Sequence, residues 1–265
     1  MKLKLGSILL AIYSVVILLF LLTPIIVIVL SSFTETNFIA FPPEGFSLKW
    51  YRAILDHPEF IQSLTLSIYV ALGTALIATL FGTLAALALV RYEFKGKEAI
   101  IQLIQSPLLI PSIVIGIALL QFYTWIGIAA SPVALIIGHV ILAIPFVVRL
   151  VTANLVNFNR TIEDAAYILG ASKINVFFQI TLPIIKSGVI AGGIFAFITS
   201  FDDLTVSLFI VSTDIVTLPV RIYTYMQYQY DPIITSISTI MIVLTVILIV
   251  VIERIIGVGK LFSAK

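Results

Sequence analysis

The sequence has no cysteine. That excludes a disulfide framework, a zinc–thiolate site and a thiol nucleophile, and leaves the compartment open. Charge is nearly as scarce: Asp, Glu, Lys and Arg make up 11% of 265 residues, against about 25% in a soluble globular domain. So little polar surface cannot cover a water-exposed globule of this size. A soluble enzyme, a nucleic-acid-binding domain and a disordered chain are therefore excluded. The formal net charge of +2 is too small to attract nucleic acid, so where the charges lie matters more than their sum. Also absent are a GxxxxGK[ST] phosphate loop, an HExxH pair and a GxSxG elbow. The chain thus has no such motif for holding ATP, for zinc-dependent hydrolysis or for a nucleophilic serine. No resident cofactor is implied. What is abundant is apolar: 61% hydrophobic residues, with mean hydropathy +1.20. This is the composition of an integral membrane protein.

Crossing a bilayer core as a helix takes about 20 apolar residues. The runs free of Asp, Glu, Lys and Arg are 5–34, 60–90, 99–148, 187–201, 204–213 and 232–252. The first, second and last hold one span each. The 50-residue run 99–148 holds two, with Gly127 through Pro132 as the turn between them. The runs 187–201 and 204–213 are each too short, and joined across Asp202-Asp203 they make one span carrying an acidic pair. Six transmembrane helices are expected. The segments are long and continuous, unlike the alternating strands of about 10 residues in an outer-membrane barrel. The first apolar run exceeds the 7–15 residues of a signal-peptide core and lacks an A-x-A-like site, so it reads as a retained helix.

Lys and Arg set the orientation. Twelve of the fifteen, Lys2, Lys4, Arg91, Lys95, Lys97, Arg149, Arg160, Lys173, Lys186, Arg254, Lys260 and Lys265, fall on the side of the N-terminus. Only Lys49, Arg52 and Arg221 fall on the other. Both termini are expected in the cytoplasm. The two outer segments, about residues 33–61 and 212–231, carry Pro42-Pro43, Trp50-Tyr51 and a Tyr-rich stretch from Tyr223 to Tyr230. Interfacial aromatic anchoring and docking of an external partner both fit them.

The longest inner loop covers residues 154–183. Within it Asp164-Ala165-Ala166 is followed by Gly170, then by Ile180, Leu182 and Pro183. Ile162, Ala165, Ala166 and Leu169 at helical spacing predict an amphipathic helix with a glycine exit, then a second short helix ended by proline. The physical expectation is a rigid, partly apolar knob on the cytoplasmic side that docks into a partner's groove. The pattern resembles the E-A-A-x3-G-x9-I-x-L-P loop of inner-membrane permease subunits of ABC importers. It departs at one position: Asp164 stands where that family has Glu, with Glu163 immediately before it, so both are candidates for contact with an ATPase. Pro107 to Pro111, Ile144 to Val147, Ser200 to Asp203 and Thr217 to Arg221 are similar to the polyamine/opine/phosphonate branch, the second permeases of spermidine/putrescine importers in particular.

The resemblance runs from Leu5 to about Gly259. It implies residues 1–265 as one transmembrane permease domain of the type I importer fold, with 154–183 as its coupling loop. It further implies a bacterial or archaeal cytoplasmic membrane and several partners: membrane lipid, an ATP-binding subunit dimer, a second permease and an extracytoplasmic solute-binding protein. Glu163, Asp164, Ala165, Ala166, Gly170, Ile180, Leu182 and Pro183 would then form the ATPase-coupling element, and hydrolysis would belong to the partner.

Asp202 and Asp203 are the only carboxylates in an expected span, and each costs about 2.5–3.5 kcal/mol at a helix centre. They need water, another chain or a cationic solute. Asp202 lies 16 residues past Lys186, about 24 Å along a helix, so a hydrated rim pair and a cation-attracting pathway element are both open. Polyamine permeases often place Asp just after the proline of the third helix, and here that position is Ser112. The outer half of no span holds a Lys or Arg that would suit an anionic solute. His139, the one internal histidine, reads as a helix–helix hydrogen bond or a pathway group. Pro107, Pro111 and Pro145 mark kinks or are simply tolerated in a bundle. A self-sufficient secondary transporter is the competing class, but it usually shows two repeats and several intramembrane charges.

Overall fold

The computed structural model describes residues 5–156 and 158–256. Lys2, Lys4, Lys260 and Lys265, counted above with the inner charges, lie outside the described residues, as do Asn157 and Gly259. In chain order the helices are α1 (Leu5–Ser31), α2 (Lys49–Ala53), α3 (Pro58–Arg91), α4 (Lys97–Gln105), α5 (Ser112–Ile126) and α6 (Pro132–Val156). There follow α7 (Thr161–Ile168), α8 (Lys173–Val176), α9 (Leu182–Phe201), α10 (Thr205–Ile210), α11 (Leu218–Met226) and α12 (Ile233–Ile256). No strand occurs among the described residues. Among the described residues five helices are long and apolar enough to cross a membrane, and there are six spans if a bent pair of helices counts as one.

Three expectations about these spans are corrected. The third span is not one helix: residues 97–108 and 112–126 meet at 103°. Pro111 has no N–H to continue a helix and its ring disfavours the helical conformation at Ile110, so the chain turns there and α5 starts afresh with Pro111 as its N-cap. The fifth span does not run through the acidic pair. It gains its length from the other side, as a helical stretch from Lys173 to Phe201, and ends with Asp202 as its C-terminal cap. Pro183 does not end a helix either: it sits in the first turn of α9, where a missing N–H costs nothing. Pro145, by contrast, lies inside α6, which continues past it. Gly127, in the left-handed region at φ 77°, ends α5, and Pro132 opens α6, so the expected turn is where the composition put it.

The described residues divide into two compact units, residues 5–61 with 222–247, and residues 62–156 and 158–221 with 248–256. In the first, α1 is apolar on every side and Leu9, Leu10, Phe20 and Leu21 are all exposed, as suits a helix against lipid. The segment after it folds back on the helix end. Ser31 Oγ donates to Ala40 O at 2.9 Å, Ser32 Oγ meets the Tyr51 hydroxyl at 2.7 Å, and Phe33 stacks on Phe46 at 4.7 Å.

In the second unit α6 and α9 are the most extensively packed pair. Gly188 permits this approach: a Cβ there would lie 2.7 Å from the Leu150 carbonyl oxygen and 2.6 Å from the Asn154 side chain. Small residues let membrane helices approach closely, because apolar side chains gain nothing by leaving lipid. Ala143, Val147, Val151, Ile185 and Ala196 fill the seam, with Ala78, Ala86 and Leu89 of α3. A second cluster joins Ile115 and Tyr123 of α5 to Leu135 and Leu142 of α6 and Val206 and Ile210 of α10.

Candidate functional site

Two places gather the residues singled out from the sequence, and both lie in the second unit. The first is a cleft of about 450 Å³ bounded by the bend, α6 and the end of α9, with Ser112, Phe146, Thr199 and Asp203 on its wall and Pro107 to Pro111 along one side. Ser112 is the first residue of α5 after the proline bend. Asp203 follows the last turn of α9, and its Oδ2 accepts the Ser207 backbone N–H at 2.8 Å. That bond satisfies one of the donors a helix leaves unpaired at its start, and it explains why the chain breaks into α10 here rather than continuing α9.

His139 stands behind this carboxylate. It is buried, with Nδ1 2.7 Å from Ser200 Oγ, Nε2 2.9 Å from Ser207 Oγ and Nε2 3.5 Å from Asp203 Oδ2. Ser200 in turn donates to Thr74 Oγ1 of α3 at 3.3 Å. One ring therefore links α6 to α9, α10 and, through Ser200, α3. The structure thus brings Ser112 and Asp203 to one surface with His139 close behind, while Asp202 is exposed and lies outside the cleft wall. No Lys or Arg lines the cleft. Phe146 belongs to the Ile144 to Val147 stretch noted for its resemblance, with no role assigned to it, and Thr199 was not singled out from the sequence. Thr199 lies one helical turn before Asp203, a spacing that could have flagged it once α9 was known to reach that far.

The second place is the knob. α7 carries Glu163 and Asp164 in its first turn, where carboxylates favour the helix dipole. The two diverge: Asp164 is exposed and Glu163 is buried. Ala165 is exposed and Ala166 half-buried on the next turn. Gly170 sits at φ 87° with its N–H on the Tyr167 carbonyl at 3.0 Å, and Ala171 N–H returns to Ala166 O at 3.0 Å. This is a left-handed helix exit of the kind glycine permits. Ser172 caps α8 through the Asn175 N–H at 3.3 Å. A π-helical turn, Phe177–Thr181, carrying half-buried Ile180, then leads into Leu182 and Pro183 of α9. The outer skin of the knob is apolar: Ile168 and Leu169 are 86% and 87% exposed, and Ile174 and Phe178 also stand clear.

Comparison with known proteins fits this geometry. Residues 78–258 match the family described as binding-protein-dependent transport system inner membrane component. The spermidine/putrescine transport system permease protein PotC of Escherichia coli strain K12 is 32% identical, over 92% of this chain and 90% of its own length. The putrescine transport system permease protein PotI of the same strain is 30% identical, over 83% and 80%. The molybdenum transport system permease protein ModB of Haemophilus influenzae is 32% identical over a shorter stretch, 63% and 80%. Among solved structures, a bacterial ABC transporter involved in the import of alginate superposes with TM-score 0.72 at 15% identity, covering 98% of this chain and 96% of that one. The fold is that of ABC importer permeases. The chain belongs to the family of binding-protein-dependent transport system inner membrane components and is an inner-membrane permease subunit of an ABC importer.

Proposed function

We propose that this permease translocates a small cationic solute, a polyamine such as putrescine or spermidine, by alternating access driven by a separate ATPase. The observation that carries the substrate class is Asp203 on the wall of a 450 Å³ cleft with no Lys or Arg beside it. A carboxylate in a partly desolvated cleft favours an ammonium group and repels an oxyanion. The names of the two polyamine permeases at 30–32% identity support the same class. ModB, a molybdenum permease, is matched over less of this chain, and an anionic cargo would meet the Asp203 carboxylate. Asp203 serves as the solute contact, Ser112 as a second polar group on the same wall, and His139 as the group that holds Asp203 in place. Asp202 is a hydrated helix cap.

In this reading both termini and the knob face the cytosol. Asp164, Ala165 and Ala166 of α7, with the turn at Gly170 and the skin formed by Ile168 and Leu169, dock against one ATPase subunit. Ile180, Leu182 and Pro183 anchor the returning chain to α9. A second permease completes the pathway, and a solute-binding protein delivers cargo to the outer face. The test is uptake by the reconstituted four-component system. Putrescine or spermidine should stimulate ATP hydrolysis and accumulate inside vesicles. Stimulation by molybdate or a neutral solute, with no response to either polyamine, would overturn the substrate class.

A further inference from the structure

At the foot of the knob lies a buried polar arrangement that solute binding does not use. Glu163 is 5% exposed. Its Oε1 accepts hydrogen bonds from Arg91 Nη2 and from the Thr181 hydroxyl, and Arg91 Nη2 also reaches Thr181 Oγ1 at 3.2 Å. These residues come from three places in the chain: Arg91 ends α3, Glu163 belongs to α7, and Thr181 closes the π-helical turn before α9. Beside them Arg160, the N-cap of α7, donates to the Val90 carbonyl at 2.9 Å and to the Arg91 carbonyl at 3.5 Å. Those are among the last carbonyls of α3, which the helix itself leaves unpaired. Two arginines, one reaching each way, tie α7 to the end of α3.

The covalent route from α7 to α9 is poorly suited to carry force. It passes through a left-handed glycine and a π-helical turn, and neither is a continuous run of regular helix bonds. We infer that Arg91, Arg160, Glu163 and Thr181 form a clasp that joins the knob, the end of α3 and the start of α9 into one rigid body. A push on α7 is then delivered to two spanning helices at once. Glu163 is a positioning residue that orients the exposed face of α7, and the neighbouring Asp164 is the carboxylate left for the partner. The inference rests on the proposed docking of α7 against the ATPase, and it adds the path by which displacement leaves that contact.

The experiment uses the complete importer in nanodiscs. With the clasp intact, Tyr92→Cys and Thr161→Cys give two labelling sites in a chain that has no other cysteine. Dipolar EPR between spin labels there should report one distance, the same in the resting state and after trapping with ATP and vanadate. A second, distinct distance on trapping would overturn the clasp. In parallel, Glu163→Gln and Arg91→Met should each lower the ratio of solute-stimulated to basal ATP hydrolysis on the order of tenfold while ATPase subunits still co-purify. Breaking a buried pair leaves its partner uncompensated, so the double variant should be no worse than either single one. Native coupling ratios in the single variants, or losses that add, would overturn the proposal. If a variant fails to assemble, the EPR distance decides. If Gly170→Arg leaves uptake and co-purification normal while the distance stays fixed, the docking reading fails and the clasp stands.

Discussion

His139 Nε2 lies 3.5 Å from Asp203 Oδ2, and both ring nitrogens are already engaged by the hydroxyls of Ser200 and Ser207. The ring therefore ties the carboxylate to α6 at the point where α9 stops and α10 begins. A membrane acid that would be costly in lipid is held at a helix break, with a backbone N–H on one side and an imidazole on the other. Its remaining exposure is toward the cleft.

Removing that ring should cost stability before it costs affinity. His139→Ala removes a partner from two buried hydroxyls; Ser200 keeps its bond to Thr74, and Ser207 Oγ is left unsatisfied at a cost of about 1–3 kcal/mol. His139→Gln, which can still donate and accept, should recover part of the loss. Thermal unfolding of the purified complex measures this, and equal midpoints for His139→Ala and native would contradict the buried network.

The knob's exit turn makes a graded prediction. Nothing lies within 4 Å of a Cβ built on Gly170, so within this chain only its φ of 87° limits substitution. Asn tolerates the left-handed region and β-branched residues do not. Gly170→Asn should keep most uptake, whereas Gly170→Val should lose it, and Gly170→Arg should lose co-purification of the ATPase as well. If Val and Asn behaved alike in the uptake assay, the turn would not be what the position requires.

Much of this arrangement is legible in the sequence, and the parts that are not share a physical cause. Charge-free runs and turn residues suffice for six spans because hydrophobicity is a local property. The knob is visible because Asp164, Gly170 and Pro183 lie within one continuous loop, 154–183. The acidic pair misled the bounds of the fifth span: whether a helix passes through Asp202-Asp203 depends on the Ser207 N–H and on His139, 64 residues before Asp203, and neither is signalled locally. Arg91 and Glu163 are 72 positions apart, so a buried ion pair between them has no periodicity to reveal it. Glu163 and Asp164 are neighbours in sequence with opposite environments, and only the packing against α3 separates them.

The α6–α9 seam offers a check on the fold itself. Gly188→Ala places a methyl group against the Leu150 carbonyl and the Asn154 amide. Overpacking of this kind typically costs 1–3 kcal/mol, so we expect about that loss. Gly6→Ala, where no atom lies within 4 Å of the added carbon, should be neutral. The yield of folded, monodisperse protein after mild detergent extraction compares the two. Matching yields would mean that α6 and α9 do not approach as closely as described.

The most direct measurement of the central claim is putrescine and spermidine uptake, normalised to assembled complex, in Asp203→Asn against Asp202→Asn. A charge-assisted contact to a partly desolvated carboxylate is worth about 1.5–3 kcal/mol, roughly ten- to a hundredfold in apparent affinity. Asp203→Asn should raise the concentration for half-maximal uptake by that factor with the complex intact, and Asp202→Asn should leave it near native. Normal polyamine uptake in Asp203→Asn, or an equal loss in both variants, would contradict a solute-facing role for Asp203.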